Sequence, residues 1–195
     1  MLSVIGSQLL VLYFFNCDDI DVATELFPCA KLEDLFINAS STVASIATEP
    51  PIPSERFLPD LKILFFTSCS PDLFRLFESP RKSLKKITCN CIHFGIRGAS
   101  SYHWSDVPHL WPNLEMLKID SNSRSFSIEG LRQMRSAIRK LTNLIDLYLP
   151  EDLEELGSEE VKELIKELET ELKSFQPNFV FFCSSQGGDT NCMYQ

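Results

Sequence analysis

Trp111-Pro112-Asn113-Leu114-Glu115-Met116-Leu117-Lys118-Ile119-Asp120-Ser121-Asn122 is the stretch that decides the fold. Its apolar residues follow the spacing L-x-x-L-x-L-x-x-N/C, with Leu114, Leu117 and Ile119 closed by Asn122. The same spacing recurs on either side: Leu9/Leu12/Phe14/Cys17, Leu32/Leu35/Ile37/Ser40, Leu61/Leu64/Phe66/Cys69, Leu84/Ile87/Cys89/Ile92 and Leu144/Leu147/Leu149/Asp152. A seventh, Gln176/Phe179/Phe181/Ser184, lacks the apolar first residue. The starts lie 23, 29, 23, 30, 30 and 32 residues apart, which brackets the roughly 20 to 29 residues of a leucine-rich repeat.

Side chains alternate faces along a strand, so positions 4 and 6 of the spacing point into a core while 3, 5 and 7 point out of the sheet. A residue such as Asn or Cys at position 9 turns the chain and helps to satisfy its backbone groups. Strands this short gain stability only by stacking on their neighbours. Parallel strands also need a return path, and helical spacings supply it. Ile20, Ala23, Leu26 and Phe27 form one such face, and Leu73, Phe74, Leu76 and Phe77 follow Pro71. Ile128, Leu131, Met134, Ile138 and Leu141 form a third, and Val161, Leu164, Ile165, Leu168, Leu172 and Phe175 the last. Residues 98–111 carry aromatics without a period, and Glu49-Pro50-Pro51-Ile52-Pro53 reads as a bend. The expected fold is α/β: a leucine-rich-repeat solenoid, a horseshoe with parallel strands on the concave face and helices on the convex face. Residues 1–185 form its six to seven repeats and residues 186–195 a flexible tail.

Two pieces of the chain resemble a known group. Leu58-Pro59-Asp60-Leu61-Lys62-Ile63-Leu64 and Trp111-Pro112-Asn113-Leu114-Glu115-Met116-Leu117 are similar to the P-x-L-x-x-L phrasing that opens strands in the repeat region of F-box leucine-rich-repeat proteins and their ribonuclease-inhibitor-like relatives. The resemblance runs from about Leu9 to Ser184. It implies a substrate-binding arc, in that family often joined to an F-box that docks on a ubiquitin-ligase scaffold. No F-box helical segment is found before the first repeat, so the chain is read as a fragment, a truncated product or a relative without the adaptor part.

Charge narrows the function classes. The net charge is −9, and residues 151–174 alone hold ten acids against three lysines. A chain that repels phosphate binds nucleic acid only where its basic residues gather, and the runs Arg81, Lys82, Lys85, Lys86 and Arg132, Arg135, Arg139, Lys140 are short and mixed with apolar residues. No nucleic-acid partner is expected. The acidic stretch is read as the solvated face of a helix, relieved by the pairs Glu159/Lys162, Glu163/Lys166 and Glu169/Lys173, in preference to a dock for a basic partner.

Seven cysteines at irregular spacings suggest reduced thiols and a cytoplasmic or nuclear setting. The apolar run Leu9 to Phe15 leaves two readings, a repeat strand or the core of a signal peptide. The lack of a basic start and of a small-residue cleavage site favours the strand. No run reaches the roughly 18 to 20 apolar residues of a membrane helix, so no membrane partner is expected.

Enzyme chemistry finds little support. Cys89, Cys91 and His93 share one face of an extended segment and would be a possible ligand set, but Cys89 also falls on a core position, where a free thiol serves as a small apolar plug. His103 and His109 lie beside Trp104 and Trp111 in an irregular stretch with no matched acid or base. No phosphate loop occurs. The chain is therefore read as a non-enzyme without cofactor or metal, a module that binds a protein partner on the concave face. The alternative is a substrate-recognition subunit of a ubiquitin ligase, with the ligase scaffold as a further partner. The candidate contact residues are Tyr13, Phe15, Phe36, Ile63, Phe65, Lys86, Lys118 and Tyr148, chosen for outward positions 3, 5 and 7.

Overall fold

The computed structural model describes residues 5–15, 25–38, 57–66, 82–89, 104–119, 128–150 and 159–182. Among them run seven strands: β1 (Val11–Phe15), β2 (Asp34–Asn38), β3 (Ile63–Phe66), β4 (Lys86–Cys89), β5 (Met116–Ile119), β6 (Asp146–Tyr148) and β7 (Val180–Phe182). They form one sheet in chain order, and every neighbouring pair is parallel. Among the described residues three α-helices accompany them: α1 (Val107–Leu110), α2 (Ile128–Ile138) and α3 (Glu159–Phe175).

The repeat spacing sets the register. Leu12, Leu35, Leu64, Ile87 and Leu117 stand opposite one another in successive strands, and Leu147 continues the row. All of these except Leu12 are fully buried, as are Ile37, Phe66, Cys89 and Ile119 at position 6. Leu131, Met134 and Ile138 of α2 and Ile165, Leu168 and Leu172 of α3 belong to the same buried cluster. The helices therefore lie on the face to which positions 4 and 6 point, and positions 3 and 5 line the other face.

A backbone relay repeats at each strand entry. The amides of Glu33 and Asp34 both donate to the carbonyl of Leu10, those of Lys62 and Ile63 to Glu33, and those of Lys85 and Lys86 to Lys62. Glu115 and Met116 donate to Lys85, and Ile145 and Asp146 to Glu115. Just before the entries of β2, β3, β5, β6 and β7 a tight turn closes, with Leu32, Leu61, Leu114, Leu144 and Phe179 donating to the carbonyls of Cys29, Leu58, Trp111, Leu141 and Gln176.

The last strand departs from the expected register. The seventh match predicts Phe179 opposite Leu147, whereas Phe181 stands there. Phe179 instead closes the turn, and Val180 alone donates to Ile145, where β2 to β6 each use two amides. This entry is one residue shorter than the others, so the strand slides relative to the template. The slip from Phe179 to Phe181 is two residues, which preserves the faces. Phe179 is buried and Phe181 packs partly against the core.

Four further expectations need correction. The stretch 98–111, read as irregular, is regular in part: Trp104–Asp106 forms a 3-10 turn that leads into α1, and Trp104, Val107, Leu110 and Trp111 are all buried. His109 thus sits on a helix, exposed. Phe27 does not share the buried face of Leu26, being 61% exposed, and Phe175 at the end of α3 is 70% exposed because Gln176-Pro177 turns the chain away. Thr88, at an outward position, is buried. The other predicted features, the segment after Pro71, the bend at 49–53, Cys91, His93, His103 and the tail 186–195, lie outside the described residues.

Candidate functional site

The face opposite the helices presents two rows of side chains. In register, position 3 runs Val11, Asp34, Ile63, Lys86, Met116, Asp146, Val180, and position 5 runs Tyr13, Phe36, Phe65, Thr88, Lys118, Tyr148. Parallel pairing holds neighbouring strands about 4.8 Å apart, so aromatic residues at one position must meet. They do. The rings of Tyr13 and Phe36 are stacked with centroids 4.3 Å apart and planes within 8°. Phe65 continues the row at 5.8 Å from Phe36, tilted by 38°, and Phe15 stacks on Tyr13 at 5.8 Å.

Exposure grades across this patch. Phe15 is 61% exposed, Tyr13 45% and Val11 43%, whereas Phe36, Phe65 and Ile63 are half-buried by their neighbours on both sides. Leu12, the first core residue, is only partly buried although its equivalents in the next five strands are covered. An apolar surface of this size, continuous over three strands, is uncommon on a protein that leaves it unused.

The structure gathers the eight candidate residues into two groups and sets one apart. Tyr13, Phe15, Phe36 and Phe65 touch in one stack, with Ile63 beside Asp34 and Lys86 in the adjacent row. Lys86 on β4 and Lys118 on β5 form the second group, with Lys118 opposite Thr88 and Tyr148. Tyr148, on β6, is separated from the aromatic stack by β4 and β5. Thr88 fills the row between Phe65 and Lys118 as the smallest side chain of position 5, which is why its neighbours bury it.

Asp34 belongs to the site although it was not among the candidates. It sits between Val11 and Ile63, and burial among them, with Glu33 adding to the effect, pushes its carboxyl above the ordinary carboxylate range against the pull of Lys62 and Lys86. Its signal in the sequence was a charge at an outward position flanked by apolar ones. A second missed feature lies at position 2, where Glu33 pairs with Lys62 at 2.7 Å and Lys85 with Glu115 at 2.5 Å across adjacent strands. Those pairs are exposed and contribute little stability, but they neutralise two lysines at the edge of the face. Lys86 and Lys118 make no ion pair with a described residue.

Cys29 and Cys89 are buried free thiols, and burial pushes the Cys29 thiol up, helped by Glu25. Among the described residues no cluster of His, Cys, Asp and Glu has the arrangement of a metal site, and no helix is long and apolar enough to cross a membrane. No protein-family model matches the chain, and no curated protein matches it.

Proposed function

We infer that the chain is a leucine-rich-repeat solenoid whose open face is concave and binds a partner protein. The observation that carries this reading is the stacked, solvent-facing row Tyr13, Phe36 and Phe65 on the side of the sheet away from the helices. Aromatic side chains dominate protein interfaces because each removes a large apolar area from water at a small cost in conformational freedom. The solenoid form is supported by the parallel strands in chain order, the helices on one face and the carbonyl relay that repeats from Leu10 to Glu115. The residues at work are Tyr13, Phe15, Phe36, Ile63 and Phe65 as apolar anchors, with Lys86, Lys118 and Tyr148 further along the face.

The test uses a partner captured by pull-down. Phe36→Ala and Phe65→Ala together weaken that partner by at least about tenfold, since each such truncation costs about 2 kcal/mol at a central anchor, while circular dichroism stays unchanged. Glu163→Ala, on the exposed side of α3, leaves binding as it was. Loss of binding in the helix variant alone moves the site to the acidic helix and ends the reading. The narrower role, a substrate receptor of a ubiquitin ligase, draws on the sequence resemblance and is tested by copurification with a ligase scaffold.

A further inference from the structure

The open face carries an ordered charge pattern as well as an aromatic one. Along position 3 and position 5 the charges run Asp34 on β2, Lys86 on β4, Lys118 on β5 and Asp146 on β6. Acids thus flank a window of two lysines. The neighbouring lysines at position 2, Lys62 and Lys85, are already paired with Glu33 and Glu115, whereas Lys86 and Lys118 make no ion pair with a described residue, Lys86 acting on Asp34 only through its charge from two strands away. The window begins one strand beyond Phe65, the end of the aromatic stack.

We propose that this face takes an extended segment of a partner protein that lays a bulky apolar side chain on Phe36 and Phe65 and a carboxylate side chain on Lys86 and Lys118. The proposal rests on the protein-binding reading above and adds the chemistry of the partner. Charge complementarity selects an acidic residue at that point, because a carboxylate placed over β2 or β6 meets Asp34 or Asp146 and is repelled. The spacing follows from the sheet. Side chains two residues apart in an extended segment lie on one side, about 7 Å from each other, which falls between one and two strand spacings of about 4.8 Å. A lysine side chain spans the remaining distance. The preferred motif is therefore apolar-x-acidic, running across the strands from β3 towards β5.

The experiment measures fluorescence anisotropy of two labelled peptides, identical except for Glu or Lys two positions after a single Trp, against the full chain at low salt. The Glu peptide binds at least about tenfold more tightly than the Lys peptide, and added salt narrows the gap. Lys86→Glu with Lys118→Glu reverses the preference, with circular dichroism unchanged. Equal affinity for the two peptides, an unaltered preference in the double variant, or no binding of either peptide overturns the proposal. The underlying reading has its own readout: a captured partner that is lost with Phe36→Ala and Phe65→Ala but indifferent to the lysine reversal keeps the aromatic face as the site and removes only its charge selectivity.

Discussion

Gly6 shows how one residue ties the first strand to the rest of the sheet. It opens the short 3-10 turn Gly6–Gln8 ahead of β1, and a Cβ placed on it would come within 2.9 Å of both Cβ and Cγ of Pro28 and 3.1 Å of that residue's backbone carbon. Neither a proline ring nor a main chain yields easily, so Gly6→Ala forces the turn away from Pro28. Overpacking of this kind costs about 1 to 3 kcal/mol. The loss is expected to be local: amide exchange in β1 speeds up while β4 and β5 keep their protection, and Ser7→Ala, at an exposed neighbour, changes neither. Equal acceleration across all strands would show that β1 is not a separate unit. Nothing in the sequence marks this contact, because it joins two turns that no periodicity links. The burial of Thr88 is illegible for a related reason. Alternation assigns a face, but burial on that face depends on the size of the cross-strand neighbours, here Phe65 and Lys118 for Thr88.

Between elements, the largest gap between sequence and structure is the seam of α2 and α3. Alternation and helical spacing made both helices readable, and Leu131, Met134, Ile165 and Leu168 do line their junction. The acidic face of α3 is not wholly solvated but in part an ion-pair ladder to α2. Arg135 reaches Glu167 at 2.5 Å and Glu171 at 2.9 Å, Arg139 also pairs with Glu171, and Arg132 meets Glu160 at 2.8 Å. Of the expected pairs within α3, Glu159/Lys162 and Glu169/Lys173 are present, at 3.1 and 2.5 Å. The signal existed: Arg132, Arg135 and Arg139 recur at helical spacing, as do Glu160, Glu167 and Glu171, but which helix faces which is a tertiary fact. The ladder takes up three of the four residues of the second basic run, Arg132, Arg135 and Arg139.

That ladder gives the seam a pH response. Hydrogen bonds from Arg139 and Arg135, together with their charges, hold the Glu171 carboxyl below the ordinary carboxylate range despite its partial burial. A carboxyl depressed in the folded chain contributes stability above its unfolded value and loses it as pH falls through the folded one. Docking of α3 should therefore weaken on the acid side of the usual carboxylate range and be constant at neutral pH. Glu171→Gln should lower stability at neutral pH by about 1 kcal/mol, a modest figure because the partners are partly exposed, and the difference from the unmodified chain should vanish in acid. Thermal unfolding across pH checks both. A Glu171→Gln penalty that persists at low pH would assign the effect to packing of the side chain and not to its charge.

For the molecule as a whole, the sheet in chain order means that each strand touches only its sequence neighbours. The repeat spacing made this legible for β1 to β6, because the same apolar pattern recurs unchanged. It failed at β7, where one residue is missing from the entry and the pattern has no way to show the deletion. Such an architecture spreads stability along the chain as neighbour contributions and exposes its ends to fraying. Removing residues 176–195 takes away β7, uncovers the edge of β6 and loses the bond from the Gln176 side chain to the Thr142 carbonyl, but leaves the α2–α3 seam in place. Removing residues 151–195 strips α3 as well, exposing Leu131 and Met134 and leaving Arg135 without Glu167 and Glu171. The shorter deletion should cost a fraction of the stability and leave β2 to β5 protected in amide exchange. The longer one should free α2, raise binding of a hydrophobic dye and lower solubility, since apolar surface and an unpaired strand edge both favour association. Urea unfolding of the three chains decides it. If the shorter deletion unfolds the chain completely, the sheet is one cooperative unit and the neighbour-by-neighbour account is wrong. If the longer deletion matches the full chain, α3 does not hold the core that its buried residues suggest.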